Sequence, residues 1–144
     1  MIYNTTHKNR KIEAAISNSV GKGYSFFKSL QMGGTGSKRM IIEQVSTNLL
    51  AFKNSVSDLT YANLEIREIG IVVHINKGLQ NFSWPIPFYQ LHTYKNNGFS
   101  IHACGNFIRF KNNVLLKDNK NFIEKIIDLK IENCKNYEFE NTIN

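Results

Sequence analysis

The apolar side chains follow a helical spacing before residue 58 and an alternating spacing from residue 58 to residue 111. This change constrains the fold most strongly. Leu64 and Ile66 alternate with polar residues, and Ile71, Val73 and Ile75 continue the alternation. Successive side chains of a strand point to opposite faces of a sheet, so this spacing predicts half-buried strands. The second half of the chain is therefore predicted to be a β-sheet.

Turn signals divide this region into about six to seven short strands. They stand at Ile69-Gly70, Asn76-Lys77-Gly78, Asn97-Gly98 and Gly105, and Asn-Gly pairs favour tight hairpins. Pro85 and Pro87 are predicted to end the strand at Trp84 and to form a corner, because proline cannot donate to a sheet ladder. The result is an antiparallel meander that curls over its apolar face into a roll or barrel.

A helix is predicted to close this sheet from the C-terminal side. Asp118 or Asn119 supplies a cap, and one apolar stripe follows, formed by Phe122, Ile123, Ile126, Ile127 and Leu129. Such a stripe must be buried, and the open face of the sheet is the nearest place. The predicted class is α+β.

The N-terminal part is predicted to hold one or two helices. Helical spacing over 8–31 involves Ile12, Ile16, Val20, Tyr24, Phe27 and Leu30. Gly21 and Gly23 weaken this helix by about 1 kcal/mol each, so a bend is expected there. Residues 33–37 have the composition of a flexible Gly-rich connector. A second helix is predicted over 38–56, although residues 48–52 also fit a short strand.

These patterns predict a helical region at 1–57, a sheet with its closing helix at 58–134, and a disordered tail at 135–144. Cys104 and Cys134 stand far apart, which is typical of two reduced thiols and of the cytoplasm. The N-terminus shows no apolar signal region, and no run approaches the roughly 18 apolar residues of a membrane span.

The stretch from about Leu64 to Leu129 resembles bacterial PH-like domains of the YcxB type. The resemblance rests on the strand at 71–75 after Gly70, on Trp84 after the next strand, and on the turn at Asn97-Gly98. Phe107 and Phe110 then precede a helix that begins near Phe122. The resemblance implies a PH-like roll that binds phosphoinositides in some relatives and peptides or proteins in many, and it covers about half of the chain.

No motif of the chain predicts catalysis, a cofactor or a metal. The loop Gly33–Lys38 lacks the spacing of a phosphate loop, because Ser37 separates Gly36 from Lys38. The candidate metal ligands or nucleophile, His74, His92, His102 and Cys104, lack the close spacing of zinc sites. Cys104 also has no base assigned to it by the sequence. We therefore expect a protein that is not an enzyme.

The net charge of +7 favours an acidic partner. Residues 1–60 contribute eight basic and three acidic side chains. The candidate contacts for an anion or a membrane are Lys22, Lys28, Lys38, Arg39, Lys77 and Lys95. Nucleic acid is not favoured, because the aromatic residues are predicted to form the core and no recognition motif is present.

The function predicted from these observations is a cytoplasmic binding module that contacts an unidentified protein or peptide. Its site is predicted at the sheet edge or the barrel mouth, where an added strand can pair. The alternative is a peripheral protein that binds anionic phospholipid. It would use these basic residues together with the amphipathic helix over 8–31.

Overall fold

A computed structural model describes residues 1–54 and 59–143 of the chain. The strands are β1 (Tyr3–Asn4), β2 (Met40–Val45), β3 (Tyr61–Arg67), β4 (Gly70–Lys77), β5 (Gln80–Pro87), β6 (His92–Tyr94), β7 (Phe99–Ala103) and β8 (Asn106–Phe110). The helices are α1 (Arg10–Val20), α2 (Phe26–Gln31), α3 (Val114–Asp118) and α4 (Lys120–Ile143). Two 3-10 helices lie at Thr47–Phe52 and Phe88–Gln90.

The strands form one antiparallel sheet in the order β1-β5-β4-β3-β2-β8-β7-β6. β2 joins its two halves, since Met40 and Ile41 pair with β3 and the later residues pair with β8. The register shifts between Ile42 and Gln44, where the strand passes from one half to the other. The α+β class and the C-terminal helix are confirmed. The predicted count of six to seven strands and the predicted closure into a roll or barrel are not confirmed. The structure describes eight strands, and the sheet is open, with β1 and β6 at its ends.

The helix predicted over 38–56 is wrong. Residues Met40–Val45 are a strand and Thr47–Phe52 a 3-10 helix, while Val56 lies outside the described residues. Met40 and Ile42 are buried between β3 and β8, and this distant pairing overrides the local helical spacing. The sheet therefore takes strands from both sides of the boundary predicted at residue 57.

The prolines do not interrupt β5 as predicted. Pro85 and Pro87 pair in register with Val72 and Gly70 of β4. β1 pairs with β5 at Phe82 and Ser83. At the two prolines, the paired neighbour of β5 is β4. Proline is tolerated at such an edge because its missing N–H costs no ladder bond on the unpaired side. The corner comes later, at Phe88–Gln90.

The helix predicted over 8–31 is two helices separated at the glycines. Asn9 caps α1 by accepting from the N–H groups of Lys11 and Ile12, and Gly21, at φ 89°, ends it. Ile16 and Val20 pack against Val72 on the outer face of the sheet. The apolar stripe of α1 is therefore buried by its own domain.

The inner face of the sheet packs against α4 through Ile123 and Ile126. Asn119 does not cap α4 with its side chain. Its amide accepts from the backbone N–H of Lys38 at 3.0 Å and donates to the carbonyls of Lys38 and Leu115. α4 extends to Ile143 and so includes residues for which the sequence predicts a tail.

The glycine-rich connector lies against α4. The Lys125 ammonium donates to the carbonyls of Met32 and Gly34, at 2.7 and 3.2 Å. The backbone N–H of Ser37 donates to the carbonyl of Leu64 in β3. Contacts with two other elements thus position residues 32–37, which lead directly into β2.

Candidate binding site

The strand β6 ends the sheet, and the chain reaches it through a tight corner. After the 3-10 helix at Phe88–Gln90, the fully buried Leu91 anchors the start of the strand. β6 pairs with β7 through His92–His102, Thr93–Ile101 and Tyr94–Ser100. Because β6 is last in the strand order, its other side faces away from the sheet. Such an edge offers backbone groups with which an extended segment can pair.

A groove of about 260 Å³ lies between β6 and α4. Ile127, which packs against the core, lines it together with Tyr94 and Ile131, which are 51% and 48% exposed. The Tyr94 ring packs edge-on against His102, with 4.7 Å between ring centroids, so this wall is held in position. Lys130 adds a positive charge to the lining. The edge strand therefore borders a groove that combines apolar side chains with a cation.

The opposite edge of the sheet is partly occupied by the N-terminus of the chain itself. β1 pairs with Phe82 and Ser83, and the backbone N–H of Thr5 donates to the carbonyl of Asn81 at 2.8 Å. The two prolines of β5 follow the residues that pair with β1. Covering an edge and placing proline in it both discourage pairing with another chain. Of the two edges, β6 is the more accessible to a partner.

The six predicted anion or membrane contacts lie in different parts of the structure. Lys22, Lys28 and Lys38 are exposed. The other three basic side chains contact groups of the protein: the Arg39 guanidinium lies 4.4 Å from the Tyr61 ring centroid, the Lys77 ammonium donates to the Ala51 carbonyl at 2.7 Å, and the Lys95 ammonium lies 4.0 Å from the Glu124 carboxylate.

Helix α2 exposes three large apolar side chains, and two of them, Phe27 and Leu30, belong to the helical stripe predicted over 8–31. Phe26, Phe27 and Leu30 are 73%, 76% and 61% exposed. The two phenylalanine rings contact each other edge to face, with their centroids 5.9 Å apart. The break after α1 turns this segment away from the packed face. Exposed apolar side chains that cluster in this way are typical of interaction sites.

Three comparisons, with protein-family models, curated proteins and solved structures, found no match to this chain. Within residues 1–54 and 59–143, no helix combines the length and apolar content that crossing a bilayer requires.

A polar network on the outer face of the sheet joins three neighbouring strands, and sequence reasoning missed it. Ser83 Oγ lies 3.1 Å from His74 Nδ1, and His74 Nε2 lies 2.8 Å from Glu65 Oε1. Arg67 donates to Glu65 Oε2 at 2.6 Å and to the Gly21 carbonyl at 2.9 Å. Burial opposes the charge of Glu65, but the hydrogen bonds from His74 and Arg67 outweigh it and lower the pKa of this carboxyl. The spacing of nine between positions 65, 74 and 83 is the available sequence signal, since two short hairpins bring such residues together.

This network has the residue types of a serine–histidine–acid relay, but its geometry is that of a structural contact. Ser83 is 1% exposed, and its hydroxyl also lies 2.9 Å from the Thr5 hydroxyl beside β1. A nucleophile must be reachable by the substrate carbonyl, and the Ser83 oxygen is enclosed. The network therefore ties β1 and the end of α1 to the sheet.

The candidate metal ligands do not form a cluster. Within the described parts of the chain, no group of three or more His, Cys, Asp or Glu side chains is placed to hold a metal. His92 and His102 are cross-strand neighbours. Burial, and then the charge of His92, lower the pKa of His102. The Cys104 thiol donates to the Gln90 amide oxygen at 3.3 Å.

Proposed function

We propose that this chain is a PH-like binding module that takes an extended protein segment as an added strand on β6. The observation that carries the proposal is the position of β6 at the end of the sheet, beside an apolar groove that α4 completes. Main-chain pairing supplies affinity, and the groove supplies side-chain specificity. We place this activity in the cytoplasm and assign no catalytic step to it.

The C-terminal helix supports the PH-like part of the proposal. It packs across the inner face of the antiparallel sheet through Ile123 and Ile126, and the resemblance over residues 64–129 implies such a helix. β2 lies outside that stretch, so its place between the two halves of the sheet does not bear on the resemblance. A fold of this kind serves many ligands, so the choice of a peptide rests on the groove and not on the resemblance.

The expected affinity is modest. Fully burying a large apolar side chain is worth about 1.5–3 kcal/mol, and about half of the Tyr94 and Ile131 surfaces is already buried. Ordering an extended segment costs free energy. We therefore expect weak binding, which suits a reversible contact.

The test is a selection of peptides from a random display library on the full chain, followed by titration of the selected peptides. Replacing Ile131 by arginine puts a charge beside Ile127 in the groove. We expect Ile131→Arg to weaken peptide binding at least about tenfold, the equivalent of about 1.4 kcal/mol. Fluorescence anisotropy with a labelled peptide measures this loss.

Leu79→Arg is the matched control, because Leu79 is 97% exposed in the turn between β4 and β5. It adds the same charge away from β6 and should leave binding unchanged. If no peptide is enriched on the wild-type chain, or if Ile131→Arg binds the selected peptides as the wild type does, the proposal is wrong.

A second candidate function, peripheral binding to anionic membranes, is favoured by α2. Its exposed Phe26, Phe27 and Leu30 are accompanied by the exposed Lys22 and Lys28. Aromatic side chains enter the headgroup region, and lysines attract anionic lipid. The buried stripe of α1 cannot serve this purpose while it packs on Val72.

Sedimentation with phosphatidylserine vesicles tests this candidate. We expect Phe26→Ser/Phe27→Ser to reduce vesicle binding about tenfold or more, because it removes the apolar surface that enters the bilayer. Leu79→Ser/Tyr89→Ser alters two exposed apolar side chains elsewhere and serves as control. This role is excluded if the wild type does not bind phosphatidylserine vesicles. It is also excluded if the wild type binds neutral phosphatidylcholine vesicles at high salt equally well.

A further inference from the structure

A second cleft, of about 390 Å³, lies between the β6–β7 turn and the start of α4. Three lysines line it, namely Lys95, Lys117 and Lys120, together with one acid, Glu124. Lys117 and Lys120 are exposed, and the contact of Glu124 is with Lys95, at 4.0 Å. The lining thus has an excess of positive charge at neutral pH.

The rest of the cleft combines amide groups with an apolar floor. Asn97 and Asn112 line it, and each carries amide N–H donors. Phe99, Leu116 and Ile123, all at least nine-tenths buried, supply the apolar part. Asn97 and Gly98 form the turn between β6 and β7 with φ values of 52° and 129°. Ammonium and amide donors above an apolar floor suit a short acidic side chain with a few methylene groups.

This cleft continues the groove beside β6. On α4, Ile123 and Glu124 line the cleft, and Ile127, one helical turn further on, lines the groove. On the strand side, Lys95 of the cleft directly follows Tyr94 of the groove. A segment that pairs with β6 and extends beyond Tyr94 therefore reaches the lysines.

We infer that this cleft accepts an acidic side chain of the segment that pairs with β6, so that the partner is an acidic rather than a basic peptide. The inference rests on the proposed function and names the chemistry of its ligand. A carboxylate of Asp or Glu and a phosphate on a hydroxyl side chain share this chemistry, since both present oxygens that accept charge-assisted hydrogen bonds.

The first experiment does not depend on any peptide. The ¹⁵N-labelled full chain is titrated with sodium acetate and with inorganic phosphate at constant ionic strength, and amide shifts are followed by NMR. We expect saturable shifts at Gly98, Asn112 and Lys117. The charge-reversed variant Lys117→Glu/Lys120→Glu should lose them, because it replaces two cations of the cleft with anions.

Lys8→Glu/Lys11→Glu is the matched control, since it changes the net charge equally at two exposed lysines at the start of α1. It should keep the shifts. Shifts that both variants keep, or that spread evenly over the surface lysines, would mean general charge screening and would overturn the inference.

The second experiment uses the selected peptides. Replacing the acidic residue of a peptide with its amide should weaken binding about fivefold to wild type, as expected for partly exposed ion pairs. It should change binding to Lys117→Glu/Lys120→Glu little. A phosphorylated peptide that binds more tightly than the carboxylate form identifies phosphate as the source of the charge, and equal or weaker binding identifies the carboxylate.

The two proposals fail in different ways. Selected peptides that carry no acid, or whose affinity does not respond to Lys117→Glu/Lys120→Glu, overturn the inference and leave the strand-pairing function standing. Anion binding in the cleft without any selected peptide overturns the strand-pairing function, and with it the role of the cleft in reading a peptide.

Discussion

The variant Gly70→Ala is expected to lose about 3 kcal/mol or more of its free energy of unfolding, at the upper end of overpacking effects. A Cβ atom at Gly70 would lie 2.4 Å from the carbonyl oxygen of Ile86, 2.7 Å from Val20 Cγ1 and 2.9 Å from Pro87 Cα. Two of these atoms belong to the backbone of β5, so relief requires moving strands and not one side chain. Urea unfolding followed by circular dichroism measures the loss.

Gly36→Ala is the control for this prediction. A Cβ atom at Gly36 would meet nothing within 4 Å, so we expect a change within about 0.5 kcal/mol. Equal stabilities for the two variants would show that α1 and β5 do not approach β4 as closely as described. The sequence assigned Gly70 to a turn, whereas its main role is to allow this close approach.

The variant Glu65→Ala is expected to lose about 1–3 kcal/mol at neutral pH, because it leaves half-buried donors of Arg67 and His74 without their acceptor. The Glu65 side chain is 25% exposed and that of Arg67 16%. Arg67 also donates to the Gly21 carbonyl. An Arg67 side chain that shifts after losing Glu65 therefore also weakens this contact at the end of α1. Urea unfolding at pH 7 measures the loss, and Glu43→Ala, at an exposed position of β2, should cost much less.

The pH dependence of this contribution has a definite sign. Burial opposes ionisation, but hydrogen bonds from His74 and Arg67 hold the folded-state pKa of Glu65 below the ordinary value of 4.5. The stabilisation is therefore fully present above about pH 4.5 and is lost as the pH falls through the lower folded-state pKa. Glu65→Gln cannot ionise, so the difference in unfolding free energy between wild type and Glu65→Gln should shrink on acidification. A constant or growing difference between pH 6 and pH 3 would contradict this account.

Much of the sheet could be predicted because its signals are local. Alternation marks β3 and β4, and Asn97-Gly98 forms the predicted turn, with φ values that few other residue pairs adopt without strain. The C-terminal helix was predicted from a stripe in which Ile123 and Ile126 are indeed buried. Each of these features depends on residues that are close together in the chain.

The missed elements depend on distant partners. β2 shows a helical spacing, and it is a strand because β3 and β8 both need a neighbour at that position. Pro85 and Pro87 are tolerated because β5 has one paired neighbour beside them. Neither condition can be read from the local sequence.

The candidate site likewise depends partly on local sequence signals and partly on contacts between distant residues. The sequence by itself determined that an antiparallel sheet with a closing helix would be formed, because apolar periodicity and turn residues act over a few positions. Only the tertiary structure decided that β6 ends the sheet beside Ile127 and Ile131 and that Lys95 meets Lys117 and Lys120 at one cleft. Strand order and the packing of α4 bring these residues together across the chain, and that long-range choice leaves no local pattern.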